Sequence, residues 1–119
     1  LAVGVTIGES EEHARALMKI LQIGFSDLVA GRPYQMPTLE EAERIEVNPV
    51  DLQRAQGFLG NWFIGTAESV AEEVHALAEA AGADEVMITT ALPNQADRLR
   101  AVRGFASAWQ RVGTGAARP

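Results

Sequence analysis

Apolar and polar positions along this chain switch between two periods, and the switching predicts both strands and helices. Leu1-Ala2-Val3-Gly4-Val5-Thr6-Ile7 is a short apolar run closed by Gly8, which reads as a buried strand. Ser10 is a helix N-cap, and Glu11 and Glu12 suit the positive end of the helix dipole. From there to Ala30, the residues Ala14, Leu17, Met18, Leu21, Phe25 and Leu28 recur at helical spacing and form one buried stripe. Gly31 is the stop, and Pro33 prevents continuation. Further on, Thr66 caps a helix whose stripe is Val70, Val74, Leu77, Ala78 and Ala81, and Gly82 ends it. Val86 to Thr90 is an almost continuous apolar run, the pattern of a strand covered on both faces. Asn94 caps a last helix carrying Leu99, Val102, Phe105, Ala106 and Trp109. The tail 113–119 is small and expected to fray.

Between the two halves, residues 32–65 read as an excursion. Thr38 and Glu41 form a capping box for a short helix over 39–45, and Asn48-Pro49 opens a second over 49–59. Trp62-Phe63-Ile64 is apolar but too short to read as a strand. Connections of this length are commonly lids or mobile segments. The order strand, helix, excursion, helix, strand, helix implies a parallel sheet with helices outside. Two strands leave edges and faces uncovered, so the pattern reads as a piece of something larger. The start at Leu1, directly on a strand, gives the same expectation of an upstream portion.

Composition narrows the chemistry. The 119 residues allow one domain with a modest core, and 47% hydrophobic with 22% charged residues is globular. The net charge of −6 argues against general nucleic-acid binding. The absence of cysteine excludes disulfides, thiolate metal sites and cysteine nucleophiles, and fits a reducing cytoplasm. No apolar run approaches the roughly 20 residues that span a bilayer, so no membrane partner is expected. His13 and His75 lie on predicted helices, without spacing suited to a metal, and read as surface residues. No Gly-x-Gly-x-x-Gly or Gly-Lys-Ser/Thr phosphate loop occurs.

Three blocks of residues resemble the C-terminal end of the bacterial luciferase-like, flavin-dependent monooxygenases. Gly65-Thr66-Ala67-Glu68-Ser69-Val70 is similar to that family's Gly-Thr-Pro-Glu-Glu-Val, with Ala67 and Ser69 departing from it. Asp84-Glu85-Val86-Met87-Ile88 is similar to its last strand, and Arg98-Leu99-Arg100 to the start of its closing helix. Upstream, Leu1–Ile7 and Ser10-Glu11-Glu12-His13-Ala14 look like its seventh strand and the following helix, and Gly31-Arg32-Pro33 like the lead into its mobile insertion.

The resemblance implies an α/β fold, the C-terminal part of a (β/α)8 TIM barrel. On that reading residues 1–119 hold the last two βα units plus the insertion, incomplete alone and completed by self-association. It implies FMN, or a deazaflavin in related branches, and oxidation of an organic substrate with O2. A flavin reductase would partner the parent enzyme. No catalytic residue is carried over, since the implied ones lie on earlier strands, and an isolated fragment is expected to be inert and not to bind FMN. At the barrel mouth Thr6, Ile7, Gly8, Thr89 and Thr90 (and Ala91) either touch the flavin ring or only end strands. Arg32, Tyr34 and Gln35 head either a substrate lid or an ordinary surface loop. The alternative function is a non-catalytic, self-associating structural module, a homo-oligomer exchanging elements between copies. A third is a small α/β binding domain unrelated to the barrel.

Overall fold

The computed structural model describes residues 1–33 and 35–116. The elements run β1 (Ala2–Ile7), α1 (Glu11–Val29), α2 (Leu39–Arg44), α3 (Pro49–Ala55), β2 (Trp62–Gly65), α4 (Ala67–Ala81), β3 (Met87–Thr89) and α5 (Gln95–Ala116). Local chemistry sets their ends. Ser10 Oγ accepts from the His13 N–H, Asn48 Oδ1 from Val50, Thr66 Oγ1 from Ser69, and Asn94 Oδ1 from Ala96. Thr38 and Glu41 close the capping box on α2. Gly82 ends α4 at φ +66°, a left-handed value that a Cβ disfavours. The helix over 49–59 is shorter than expected, and 56–59 form turns. The tail 113–119 begins inside α5, while 117–119 fall outside the described residues.

The strand count and pairing correct the sequence expectation. The sheet has three parallel strands in the order β2-β1-β3. Trp62–Gly65, too short to be read as a strand alone, pairs with Gly4 to Ile7 of β1. Both neighbours of β1 therefore follow it in sequence. The seventh strand of a (β/α)8 barrel lies between the sixth and the eighth, so one neighbour would have to precede it. The fold is an open three-layer α/β unit, not an unfinished pair of barrel units awaiting self-association.

Period-2 alternation divides the core. Val3 and Val5 of β1 pack with Val70, Ala71 and Val74 of α4 and with Phe105 and Ala108 of α5. On the other face, Trp62 and Ile64 of β2 pack with Leu17, Met18 and Leu21 of α1. Gly4 sits opposite Trp62, and a Cβ there would lie 2.3 Å from the indole. That space lets the indole lie over the sheet, where its Nε1–H donates to Thr6 Oγ1 at 2.9 Å. Phe25 of α1 stacks on Phe58 and meets Trp62 edge-on, which seats the far end of α1 on the excursion.

Three burial expectations are corrected. Leu28 is exposed, while Ile20 and Ile23 widen the α1 stripe. β3 is three residues long and lies at the sheet edge, with Met87 exposed at 72%. Leu77, Leu99 and Val102 are exposed, and α5 buries the expected Phe105 together with Ala101 and Ala108. Small residues carry that contact because the helices approach closely: a Cβ on Gly104 would stand 3.4 Å from Ala67 Cβ. No helix among the described residues is long and apolar enough to cross a membrane.

Candidate functional site

Parallel sheets present their ligand sites at the carboxyl ends of the strands, and a cavity of about 240 Å³ lies there. Ile7, Gly8 and Glu9 form its floor as the chain leaves β1. His13 and Leu17 come from α1, Thr66, Ala67 and Glu68 from the start of α4, and Asp97, Arg100 and Gly104 from α5. Two glycines permit this convergence. A Cβ at Gly8 would stand 2.4 Å from the Ala14 backbone nitrogen, so α1 can begin directly against the strand end. A Cβ at Gly65 would stand 2.4 Å from Ser69 Oγ, where α4 turns off β2.

Polar contacts hold the walls. Ser69 Oγ donates to Glu11 Oε1 at 3.2 Å, joining the starts of α4 and α1. Arg100 pairs with Asp97 at 3.3 Å and Glu9 at 3.7 Å, and so spans from α5 to the loop after β1. Arg111 pairs with Glu68 at 2.8 Å. His13 Nδ1 accepts the Glu9 N–H at 3.0 Å, so the neutral ring carries its proton on Nε2.

The sequence-predicted site residues are only partly brought together. Ile7 and Gly8 line the cavity. Thr6 is fully buried on the opposite face of β1, where its hydroxyl accepts from Trp62 and donates to Met18 Sδ at 3.7 Å. Thr89 is exposed on β3, and Thr90 is half-buried with its hydroxyl lacking a hydrogen-bond partner. Arg32 donates to Asp27 at 2.9 Å and Asp51 at 3.1 Å, tying the end of α1 to α3. The hydrogen bond that Arg32 donates to Asp27, then that to Asp51, raises its pKa above the ordinary value. Gln35 is exposed, and Tyr34 lies outside the described residues.

Sequence reasoning missed His13, Glu68, Asp97 and Arg100 as cavity residues. His13, Glu68 and Asp97 sit in the first turns of their helices, and Arg100 one turn further along α5. Parallel topology points those first turns at the site, a signal available once the strands are assigned.

The residues present do not by themselves fit FMN. About 240 Å³ is small beside the roughly 300–1,000 Å³ of ordinary ligand pockets. Glu9, Glu68 and Asp97 face a single arginine among the described lining residues, which disfavours a phosphate dianion. Among the described residues, no group of three or more His, Cys, Asp or Glu is placed to hold a metal ion.

No family model matches the chain. It is 30% identical over 111 residues to "Uncharacterized protein YvbT" of Bacillus subtilis (strain 168), covering 91% of this chain and 33% of that protein. Its fold is similar to that of apo-MsnO8, with a TM-score of 0.76 and 22% identity over 92% of this chain and 34% of that one. The chain thus spans about a third of the length of either protein.

Proposed function

We propose that this chain is the C-terminal portion of a flavin-dependent, luciferase-like monooxygenase, a protein that oxidises an organic substrate with O2 and reduced flavin. The observation that carries the reading is the turn Gly65–Thr66. There the family-like motif leaves β2, caps α4 and walls the cavity at the strand ends. The shared fold with apo-MsnO8 supports it. In this reading the chain supplies structure and a wall of the site. The flavin, FMN or a deazaflavin delivered by a separate reductase, binds largely to residues elsewhere and supplies the redox chemistry. Ile7 and Gly8 shape the edge of that site.

The test has two arms. The chain alone, titrated with reduced and oxidised FMN by fluorescence, should show no saturable binding at micromolar concentration. The whole protein carrying this sequence should consume O2 with reduced FMN, and Gly8→Val should reduce that consumption by displacing the start of α1. A whole protein that neither binds reduced flavin nor consumes O2 refutes the reading.

A second reading is a non-catalytic module that self-associates. The exposed Leu99 and Val102, neighbours on α5, favour it. Light scattering that finds a monomer at high micromolar concentration eliminates it.

A further inference from the structure

The net charge of −6 is not spread evenly over the helices. α5 carries Arg98, Arg100, Arg103 and Arg111 against Asp97 alone. α4, packed against it, carries Glu68, Glu72, Glu73 and Glu79 and no lysine or arginine. Contacts inside the chain use only part of this complementarity. Arg111 pairs with Glu68, Arg100 pairs with Asp97 and Glu9, and Arg98 donates to the Leu92 carbonyl. Glu79 lies 3.8 Å from His75 Nδ1. Arg103, Glu72 and Glu73 are exposed, and none of them has an ion-pair partner among the described residues.

These free charges sit on matching stripes. On α5, Leu99, Val102, Arg103 and Ala106 are spaced i, i+3, i+4 and i+7, which places them on one side of the helix, and all four are exposed. An open groove of about 530 Å³ shares Leu99 and Arg103 with this stripe and continues over Ala96, Gly104 and Ser107, whose small side chains leave room for a neighbouring helix. On α4, Glu73, Ala76, Leu77 and Ala80 repeat the same spacing, again all exposed, with Glu72 one turn before Ala76. One stripe is apolar and basic, and the other is apolar and acidic.

We propose that two copies of this chain associate by laying the α5 stripe of one on the α4 stripe of the other. Arg103 then meets the Glu72 and Glu73 carboxylates of the second copy, and Leu99 and Val102 cover its Ala76 and Leu77. Pairing α5 with α5 would bring arginines together, and pairing α4 with α4 would bring glutamates together, so charge selects the mixed contact. Exposed ion pairs contribute little affinity, so the apolar side chains hold the contact and the charges choose its faces. The contact joins unlike faces: it closes a pair when formed twice about a two-fold axis, and otherwise runs head to tail. No strand or helix is exchanged, and the sheet stays as described. The proposal gives the self-association named above its surface, and it holds whether or not the chain belongs to a catalytic protein.

The experiment follows the mass of the intact chain by light scattering and sedimentation equilibrium from low to high micromolar concentration. The wild type should associate as concentration rises. Arg103→Glu, and the double variant Glu72→Arg with Glu73→Arg, should each associate about tenfold or more weakly when alone, with unchanged circular dichroism. Mixed in equal amounts, the two should recover association, because the first keeps its acidic α4 and the second keeps its basic α5. Leu99→Ala should weaken association in the wild type and in the mixture alike. A wild-type monomer at high micromolar concentration overturns the proposal together with the self-associating reading. Association that survives in either charge variant alone, or that the mixture does not recover, overturns this contact and leaves that reading standing.

Discussion

Gly4→Ala is the substitution that most directly tests the packing of this sheet. The added Cβ would lie 2.3 Å from Trp62 Cδ2 and Cε3 and 2.7 Å from Cε2. Carbon atoms pack at about 3.5–4.0 Å, so the indole must retreat by more than about 1 Å. A fused ring wedged beside Phe25 has no flexible tip with which to yield. Overpacking of this kind costs about 1–3 kcal/mol. The retreat also breaks the Nε1–H bond to Thr6, which is fully buried, at a further cost of about 0.5–1.5 kcal/mol. Loss of chain entropy in the unfolded state offsets about 0.4–1 kcal/mol. The net expectation is a destabilisation of about 2–3 kcal/mol, a large share of the roughly 5–15 kcal/mol typical of a domain. Urea unfolding followed by circular dichroism should show a lower midpoint with an unchanged slope. In Trp62→Phe, which lacks both the second ring and the donor, Gly4→Ala should cost much less, giving a coupling of about 1 kcal/mol or more. A Gly4→Ala protein within about 0.5 kcal/mol of wild type, or strict additivity with Trp62→Phe, would refute the reasoning.

Further outcomes follow from the same geometry. Gly82→Ala should cost about 1 kcal/mol through its positive φ alone, because no atom stands within 4 Å of the added methyl; urea unfolding measures it. Phe105→Ala, in the cluster between β1, α4 and α5, should cost about 3–5 kcal/mol in the same assay, and a loss under about 1 kcal/mol would contradict its place in the core. Thr38→Ala should cost about 1 kcal/mol by opening the capping box on α2. The pKa of Arg32 is raised, so its contribution is fully present below the ordinary arginine value and fades only as pH rises beyond it. The stability difference between wild type and Arg32→Gln should therefore be the same at pH 6 and pH 9, and a difference that disappears by pH 9 would count against the ion pairs.

What the sequence determined by itself is what a few adjacent residues decide. The caps at Ser10, Thr38, Asn48, Thr66 and Asn94 and the glycine stop at Gly82 form inside one turn of chain, so their chemistry needs no distant partner. The parallel α/β class followed from the order of periods. The tertiary structure decided the rest. Trp62–Gly65 becomes a strand because β1 has an open edge and Gly4 leaves room for an indole, a fact written 58 residues away from its consequence. The buried face of α5 is set by how closely Ala67 and Gly104 let it approach α4, so Ala101 and Ala108 are buried beside Phe105 while Leu99 and Val102 face out. Arg32 is taken up by Asp27 and Asp51 because α3 folds back onto α1. The cavity gathers His13, Glu68, Asp97 and Arg100 from three helices, and only the crossing of those helices makes them neighbours.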